Sequence, residues 1–147
     1  MDTQTTRTAW LLGLAGLIPF FVAALGVAAG PEDWRDFAKG ALLGYAAVIL
    51  SFLGAVHWGL ALRAPAEEAA FGPARLALGV VPSLVAWLAL LLPEQPAYAL
   101  LVAGLLGTAG TEQWGALRGL VPRGYMGLRW LLTGCASLAL VAAWAAS

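Results

Sequence analysis

The sequence predicts an all-α membrane protein in which five transmembrane helices form one bundle. Of its 147 residues, 61% are hydrophobic and 11% are charged, whereas charged residues make up about 25% of soluble domains. Apolar runs recur at close to the length of about 20 residues that a helix needs to cross a hydrocarbon core of about 30 Å. The segment from Ala41 to Leu62 is a continuous apolar run and shows no alternation of apolar with polar residues, which favours helices over the strands of a β-barrel.

The predicted helices cover about residues 9–29, 40–62, 76–92, 97–113 and 126–146. The connections between them are short, so residues 1–147 are predicted to form a single integral membrane domain. In the first helix the apolar stretch of about 21 residues exceeds the roughly 7–15 of a signal peptide, and we expect it to be retained as a span. Pro19 lacks an amide donor and should kink this helix.

Prolines precede three of the other predicted helices. Pro31, followed by Glu32 and Asp33, is typical of a helix start, where acidic side chains complement the helix dipole. We expect a short interfacial turn here, leading into the second helix at Gly40. Pro73 and Pro96 stand just before the third and fourth helices, where a proline costs a helix little.

The positive charges predict the orientation of the chain, because cytoplasmic loops carry an excess of Lys and Arg. Five spans place six cations on the side of the N-terminus: Arg7, Arg63, Arg75, Arg118, Arg123 and Arg129. Arg35 and Lys39 lie on the opposite side. The N-terminus is therefore predicted to be cytoplasmic and the C-terminus periplasmic.

A segment beside the cytoplasmic face has the pattern of a helix at the headgroup boundary. Trp114, Leu117 and Val121 recur at helical spacing around Arg118. Aromatic side chains and arginines are typical of that boundary. We expect this segment to anchor the chain at the membrane surface.

Small residues at steps of three or four predict where helices pack together. In lipid, close approach through small side chains must contribute to helix association. The predicted ridges are Gly40, Gly44, Ala47, Ser51 and Ala55 on the second helix, and Ala99, Ala103, Gly107 and Thr111 on the fourth.

Ionisable residues are also expected inside three of the spans, at one depth. His57, Glu112 and Arg129 each lie about six residues from an arginine at the inner surface, or about 9 Å along a helix. Such groups usually face other helices or a water-filled cavity. The complete predicted polar cluster is Ser51, His57, Trp58, Ser83, Trp87, Thr108, Glu112, Arg129 and Thr133.

Two interpretations of this cluster follow from its chemistry. It could be a structural lock, in which Glu112 and Arg129 form an ion pair and His57 bonds to a hydroxyl or a carbonyl. The alternative is that it forms the polar end of a cavity with Trp58 and Trp87 in its apolar walls, which suits an amphiphile such as a quinone or a lipid. An unperturbed histidine titrates near neutrality, so His57 is a candidate for proton exchange with such a ligand.

Composition and residue counts exclude several other functions. Eight Lys and Arg are balanced by eight Asp and Glu, so the chain has no basic excess for binding nucleic acid. One cysteine, Cys135, and one histidine, His57, cannot build a metal site by themselves. No spacing brings a nucleophile, a base and an orienting carboxylate together, and we expect a protein that is not an enzyme; the sequence names no cofactor.

Several short motifs are similar to those of one known family. They are Leu17-Ile18-Pro19-Phe20, Ser51-Phe52-Leu53-Gly54, His57-Trp58-Gly59, Val81-Pro82-Ser83 and Tyr125 through Leu128-Arg129, with Pro122 before them. Together they resemble the bacterial and mitochondrial family called domain of unknown function 3429, which includes transmembrane protein 69. Gly124 stands where a tryptophan is expected, and Glu112 where an aspartate is usual. The resemblance implies a multispan protein of a bacterial inner membrane with a site at Ser51, His57 and Trp58, but it implies no reaction.

The leading interpretation is thus a binding or accessory protein with an inner-leaflet polar site. Its expected partners are the lipid bilayer, together with a hydrophobic small molecule, a membrane-protein complex or a second copy of the chain. The alternative is a small transporter or channel that oligomerises and uses the His57, Glu112 and Arg129 cluster. Five short helices lack the paired interrupted segments of inverted-repeat transporters, which makes a monomeric carrier the weaker interpretation.

Overall fold

The computed structural model describes residues 3–121 and 123–147, and of Arg123 it describes the backbone. Every regular element in these residues is helical. The α-helices are α1 (Thr3–Ala15), α2 (Ile18–Ala29), α3 (Glu32–Leu62), α4 (Gly72–Leu91), α5 (Glu94–Leu117) and α6 (Arg123–Ala146), with a 3-10 helix at Ala66–Phe71 before α4. Pro122 and the side chain of Arg123, which figure in the predicted motifs and charges, lie outside the described residues.

Four helical stretches in the described chain are long and apolar enough to cross a membrane. They are Thr3–Ala29, Glu32–Leu62, Ala66–Leu91 and Gly124–Ala146. The prediction of an all-helical membrane protein is therefore confirmed, but with four such stretches where five were predicted.

The fifth predicted span corresponds to α5, which is long enough at 24 residues but not apolar enough to be one of these four stretches. Glu94, Gln95, Glu112 and Gln113 confine its apolar part to about 16 residues. At 1.5 Å per residue these cover about 24 Å of helix, which is shorter than a hydrocarbon core of about 30 Å. The predicted cytoplasmic N-terminus and periplasmic C-terminus stay a prediction.

The first span is interrupted just before Pro19. Helix α1 ends at Ala15 and α2 begins at Ile18, and the amide of Leu17 bonds to the carbonyl of Leu14 at 3.1 Å in a tight turn. Pro19 stands in the first turn of α2, where its missing amide donor leaves no hydrogen bond unmade. The predicted kink is confirmed as a break between two helices.

The second span begins earlier than predicted. Helix α3 runs without interruption from Glu32 to Leu62, so the predicted start at Gly40 is wrong. Glu32 and Asp33 lie in the first turn directly after Pro31, and a single glycine does not end a helix whose first turn is stabilised in this way. Trp34 and Phe37 are exposed on this first part of α3, with their rings edge to face at 6.0 Å.

The described chain divides into two compact units, Met1–Leu42 with Leu105–Ser147, and Leu43–Gly104. The predicted single domain over residues 1–147 stays a prediction. In the first unit, α2 and α1 both pack against α6. A methyl group at Gly13 would lie 2.9 Å from Leu132 Cδ1, so α1 approaches α6 closely at this glycine.

In the second unit, α3 and α4 approach each other at two glycines. A methyl group at Gly54 would lie 2.5 Å from the carbonyl oxygen of Gly79 and 3.3 Å from Pro82. The indole Nε1 of Trp58 donates a hydrogen bond of 3.0 Å to the carbonyl oxygen of Leu76. A methyl group at Gly79 would collide with the Trp58 indole, so both contacts require a glycine at the point of approach.

The buried stripes of α3 and α5 differ from the predicted ridges. On α3 the buried positions are Ala38, Leu42, Ala46, Ala47, Leu50, Gly54 and His57, and on α5 they include Leu101, Leu105, Thr108, Ala109, Glu112 and Ala116. Ala47 is the one member of the two predicted ridges that is buried, and Ala99, Ala103, Gly107 and Thr111 are all exposed. The predicted ridges were therefore wrong about which helix faces are buried, because both faces of a membrane helix are apolar and small residues occur on each.

Candidate functional site

The centre of the candidate site is an ion pair between α5 and α6. Arg129 Nε donates a hydrogen bond of 2.6 Å to Glu112 Oε2. Arg129 is 2% exposed and Glu112 is 1% exposed. The ion pair predicted in the structural-lock interpretation is present, and both of its charges are withdrawn from the surface of the chain.

Two hydroxyl residues follow Arg129 along the same face of α6. Arg129 Nη1 donates to Thr133 Oγ1, one turn further along the helix. Ser137 follows at the same spacing, and both hydroxyl residues are buried. Residues spaced by four lie on one helix face, so Arg129, Thr133 and Ser137 form a continuous polar row on the buried side of α6.

Two polar atoms in this row have no hydrogen-bond partner among the described residues. They are Arg129 Nη2 and Ser137 Oγ, and both are buried. A buried donor without a partner costs about 1–3 kcal/mol, and more when it is charged. The geometry therefore leaves a guanidinium donor available to an acceptor from outside the described chain.

The structure places Thr108 on the same buried side of α5 as Glu112. It lies one turn before Glu112 and is buried. Its carbonyl oxygen accepts a hydrogen bond of 2.8 Å from Thr111 Oγ1. Of the predicted cluster, Thr108, Glu112, Arg129 and Thr133 thus belong to the first unit and are all buried.

The remaining predicted residues belong to the second unit. His57 is buried on α3, and Ser51 is half-buried and donates a hydrogen bond of 2.9 Å to the carbonyl oxygen of Ala47. Trp58 is partly exposed, with its indole nitrogen bonded to the backbone of α4. The convergence of His57 with Glu112 and Arg129 stays a prediction.

Ser83 and Trp87 lie one turn apart on α4. Ser83 is half-buried, and Trp87 is 58% exposed. The cavity that was expected to have Trp58 and Trp87 in its walls also stays a prediction. Among the described residues there is no group of three or more His, Cys, Asp or Glu side chains that could hold a metal ion.

A second buried cation, Arg75, is not among the predicted site residues. It precedes the predicted third helix, but it lies in the first turns of α4, is buried, and forms an ion pair of 2.7 Å with Glu68. Glu68 belongs to the 3-10 helix. Hydropathy alone could not predict this pair, because α4 begins at Gly72, before the apolar run of residues 76–92 from which the third helix was predicted.

A neighbouring contact between α5 and α6 was also missed. Trp130 Nε1 donates a hydrogen bond of 2.9 Å to Gln113 Oε1. Gln113 follows Glu112 and Trp130 follows Arg129, so the two contacts join adjacent residues on each helix. Their common separation of 17 residues was the signal in the sequence that could have predicted the second contact from the first.

Comparison with known proteins confirms the family resemblance. The family model described as "Protein of unknown function (DUF3429)" matches residues 5–145. The chain is also similar to transmembrane protein 69 of Xenopus tropicalis, with 41% identity over 103 residues that cover 67% of this chain. The match spans 39% of that relative's own length. No solved structure matches the chain.

Proposed function

We propose, from the premise that this chain belongs to the DUF3429 family of proteins of unknown function, that it is a non-enzymatic binding protein of a bacterial inner membrane. Its ligand is a neutral hydrophobic compound, quinone-like or lipid, whose polar end contacts Arg129 near the inner leaflet. The chain either carries this ligand itself or contributes the site to a membrane complex that it assists.

The observation that carries the proposal is the availability of Arg129 Nη2. This nitrogen is buried and has no hydrogen-bond partner among the described residues, while Nε and Nη1 of the same side chain are engaged by Glu112 and Thr133. Buried donors in proteins nearly always have a partner. A ligand oxygen that accepts from Nη2 would supply it.

The charge balance of the site favours a neutral ligand over an anion. Arg129 and Glu112 carry opposite charges in direct contact, so the pair is neutral as a whole. A carboxylate or phosphate bound there would leave one negative charge uncompensated at low dielectric, which is costly. A quinone, ketone or ester carbonyl accepts the same hydrogen bond without adding charge.

Five crossings are part of this proposal. The charge that lowers the hydropathy of α5 belongs in part to Glu112, which is paired with Arg129. Pairing reduces the cost of a charged group in the membrane. The excess of arginines on the side of the N-terminus supports a cytoplasmic N-terminus and a periplasmic C-terminus.

The test is the binding of two probes of equal chain length to the purified protein, decyl-benzoquinone and decanoate. We expect the wild type to bind the quinone and to bind the carboxylate at least about ten-fold more weakly, since each 1.4 kcal/mol corresponds to a factor of ten. Arg129→Lys keeps the positive charge but replaces the three guanidinium nitrogens, Nη2 among them, with a single ammonium nitrogen, and should weaken quinone binding by about ten-fold or more.

Arg63→Lys is the matched control, because it makes the same chemical change at an exposed arginine outside the site. Decanoate binding that equals quinone binding and is weakened by Arg129→Lys would contradict the proposal, and so would a folded Arg129→Lys variant with unchanged quinone affinity. His57→Gln, measured in parallel, tests the wider predicted cluster. Flux of a solute into liposomes that depends on Glu112 would favour the transporter instead.

A further inference from the structure

A second site lies at the end of α5, where an arginine stacks on a tryptophan. The guanidinium carbon of Arg118 lies 3.9 Å from the centroid of the Trp114 ring. Arg118 is exposed, and Trp114 is 53% exposed. This cation–π contact holds the arginine head over an indole instead of leaving it free to move in solvent.

The local backbone fixes the position of Arg118. Helix α5 ends at Leu117. The amide of Leu120 donates a hydrogen bond of 2.9 Å to the carbonyl oxygen of Gly115, and the amide of Gly119 donates one of 3.1 Å to the carbonyl oxygen of Ala116. Gly119 has a φ of 75°, the left-handed conformation that this type of helix end requires and that glycine adopts readily. Arg118 is therefore the capping residue of a defined turn.

Stacking leaves the hydrogen-bonding edge of the guanidinium open. The guanidinium carbon lies over the Trp114 ring, and the N–H donors of this planar group lie in its plane and suit the bidentate binding of a phosphate. Within the described part of the chain, Arg118 forms neither an ion pair nor a side-chain hydrogen bond. Its charge is thus not compensated by a described carboxylate, in contrast to those of Arg75 and Arg129.

Large exposed side chains adjoin Arg118 along α5, namely Leu117 and Trp114. Trp130 of α6 is partly exposed as well, and its indole nitrogen donates a hydrogen bond of 2.9 Å to Gln113, the residue before Trp114. Indole rings at the boundary between hydrocarbon and headgroups are a common feature of membrane proteins. Such a surface suits acyl chains, which a free inorganic anion does not possess.

We propose that Trp114 and Arg118 form a binding site for the phosphate group of an anionic membrane lipid, with the lipid's acyl chains against Leu117 and the neighbouring indoles. The lipid phosphate binds the open edge of the Arg118 guanidinium. This site is independent of the buried Glu112 and Arg129 pair, and it takes an anion where the buried site takes a neutral group.

The test is lipid retention after purification from bilayers of phosphatidylglycerol and phosphatidylcholine in equal amounts. Bound lipids are counted by native mass spectrometry. We expect the wild type to retain phosphatidylglycerol in preference to phosphatidylcholine. In Arg118→Gln the ratio of the two retained lipids should fall about five-fold, because a basic residue near the membrane surface contributes about 1 kcal/mol. Trp114→Leu, which keeps the arginine but removes the stacking partner, should lose part of it.

Arg63→Gln is the matched control. Arg63 is an exposed arginine just after α3 and has no ring contact among the described residues. Unchanged retention by Arg118→Gln would overturn the proposal, as would an equal loss in Arg63→Gln, which would indicate a general effect of charge. Complete displacement of phosphatidylglycerol by 10-fold excess inorganic phosphate would also overturn it, because the site would then recognise a free anion and not a lipid.

Discussion

At the scale of single residues, the buried pair of Glu112 and Arg129 has the largest energetic consequence. Both side chains are almost completely buried, and each neutralises the other through the bond of 2.6 Å between Nε and Oε2. Taking one charge out of water is costly, and attraction to a close partner offsets that cost. The pair is therefore expected to behave as a unit.

A double-mutant cycle should reveal this coupling. Removing one partner, in Glu112→Leu or Arg129→Met, leaves a buried uncompensated charge and should lower the free energy of unfolding by about 3–5 kcal/mol. The double variant should recover most of that loss, because it buries no charge. The measurement is reversible unfolding in detergent, and single losses that simply add would show that the two side chains do not interact.

A weaker effect is expected at the neighbouring contact of Trp130 with Gln113. Trp130→Phe removes the indole donor while keeping an aromatic ring, and should cost about 0.5–1.5 kcal/mol at most. Its partner is a neutral amide, and Trp130 is partly exposed. The same unfolding assay checks this, and a loss as large as that of Arg129→Met would contradict the assignment of the ion pair as the stronger contact.

At the scale of helices, the approach of α3 to α4 depends on backbone at glycines. The position that a methyl group would take at Gly54 lies 2.5 Å from the carbonyl oxygen of Gly79, and that oxygen belongs to backbone that cannot rotate away. Pro82 follows Gly79 on α4 at 3.3 Å from the same position. Packing of this kind in membranes requires small residues.

Gly54→Ala should therefore destabilise the second unit by about 1–3 kcal/mol through overpacking. Gly44→Ala on the same helix is the matched control, because nothing lies within 4 Å of the position that its methyl group would take. Alanine is also the better helix former by about 1 kcal/mol, so this control should be neutral or stabilising. Thermal unfolding of the two variants compares them, and equal stability would contradict the close approach.

At the scale of the whole molecule, the number of crossings depends on α5. Its helix is long, but polar residues near both ends shorten its apolar part. A crossing by α5 puts the two ends of the chain on opposite sides of the membrane, whereas a surface position puts them on one side. The number of crossings therefore decides the topology.

We expect five crossings, with the N-terminus in the cytoplasm. Alkaline phosphatase fused after Ser147 should be active, because it folds outside the cytoplasm, and green fluorescent protein at the same place should be dark. A fusion at Pro65, in the connection between α3 and α4, should show the opposite pattern. A fluorescent C-terminal fusion together with a fluorescent fusion at Pro65 would establish that α5 does not cross.

By itself the sequence determined that this chain is helical and membrane-embedded, because hydropathy over about 20 residues is a local property. The break before Pro19 followed from an equally local signal, and so did the start of α6, which was predicted at Met126 and lies at Arg123. The pairing of Glu112 with Arg129 was also predictable, since two opposite charges at one membrane depth have few other ways to be satisfied.

Only the tertiary structure decided which side of each helix is buried. The predicted ridge on α5 is exposed, and Gly54 rather than Gly44 meets the neighbouring helix. The partner of Arg75 and the open nitrogen of Arg129 are likewise properties of side-chain geometry. In lipid an apolar face is satisfied by hydrocarbon as well as by protein, so the rotation of a helix about its axis leaves only a weak pattern in its sequence and depends on how all its neighbours pack.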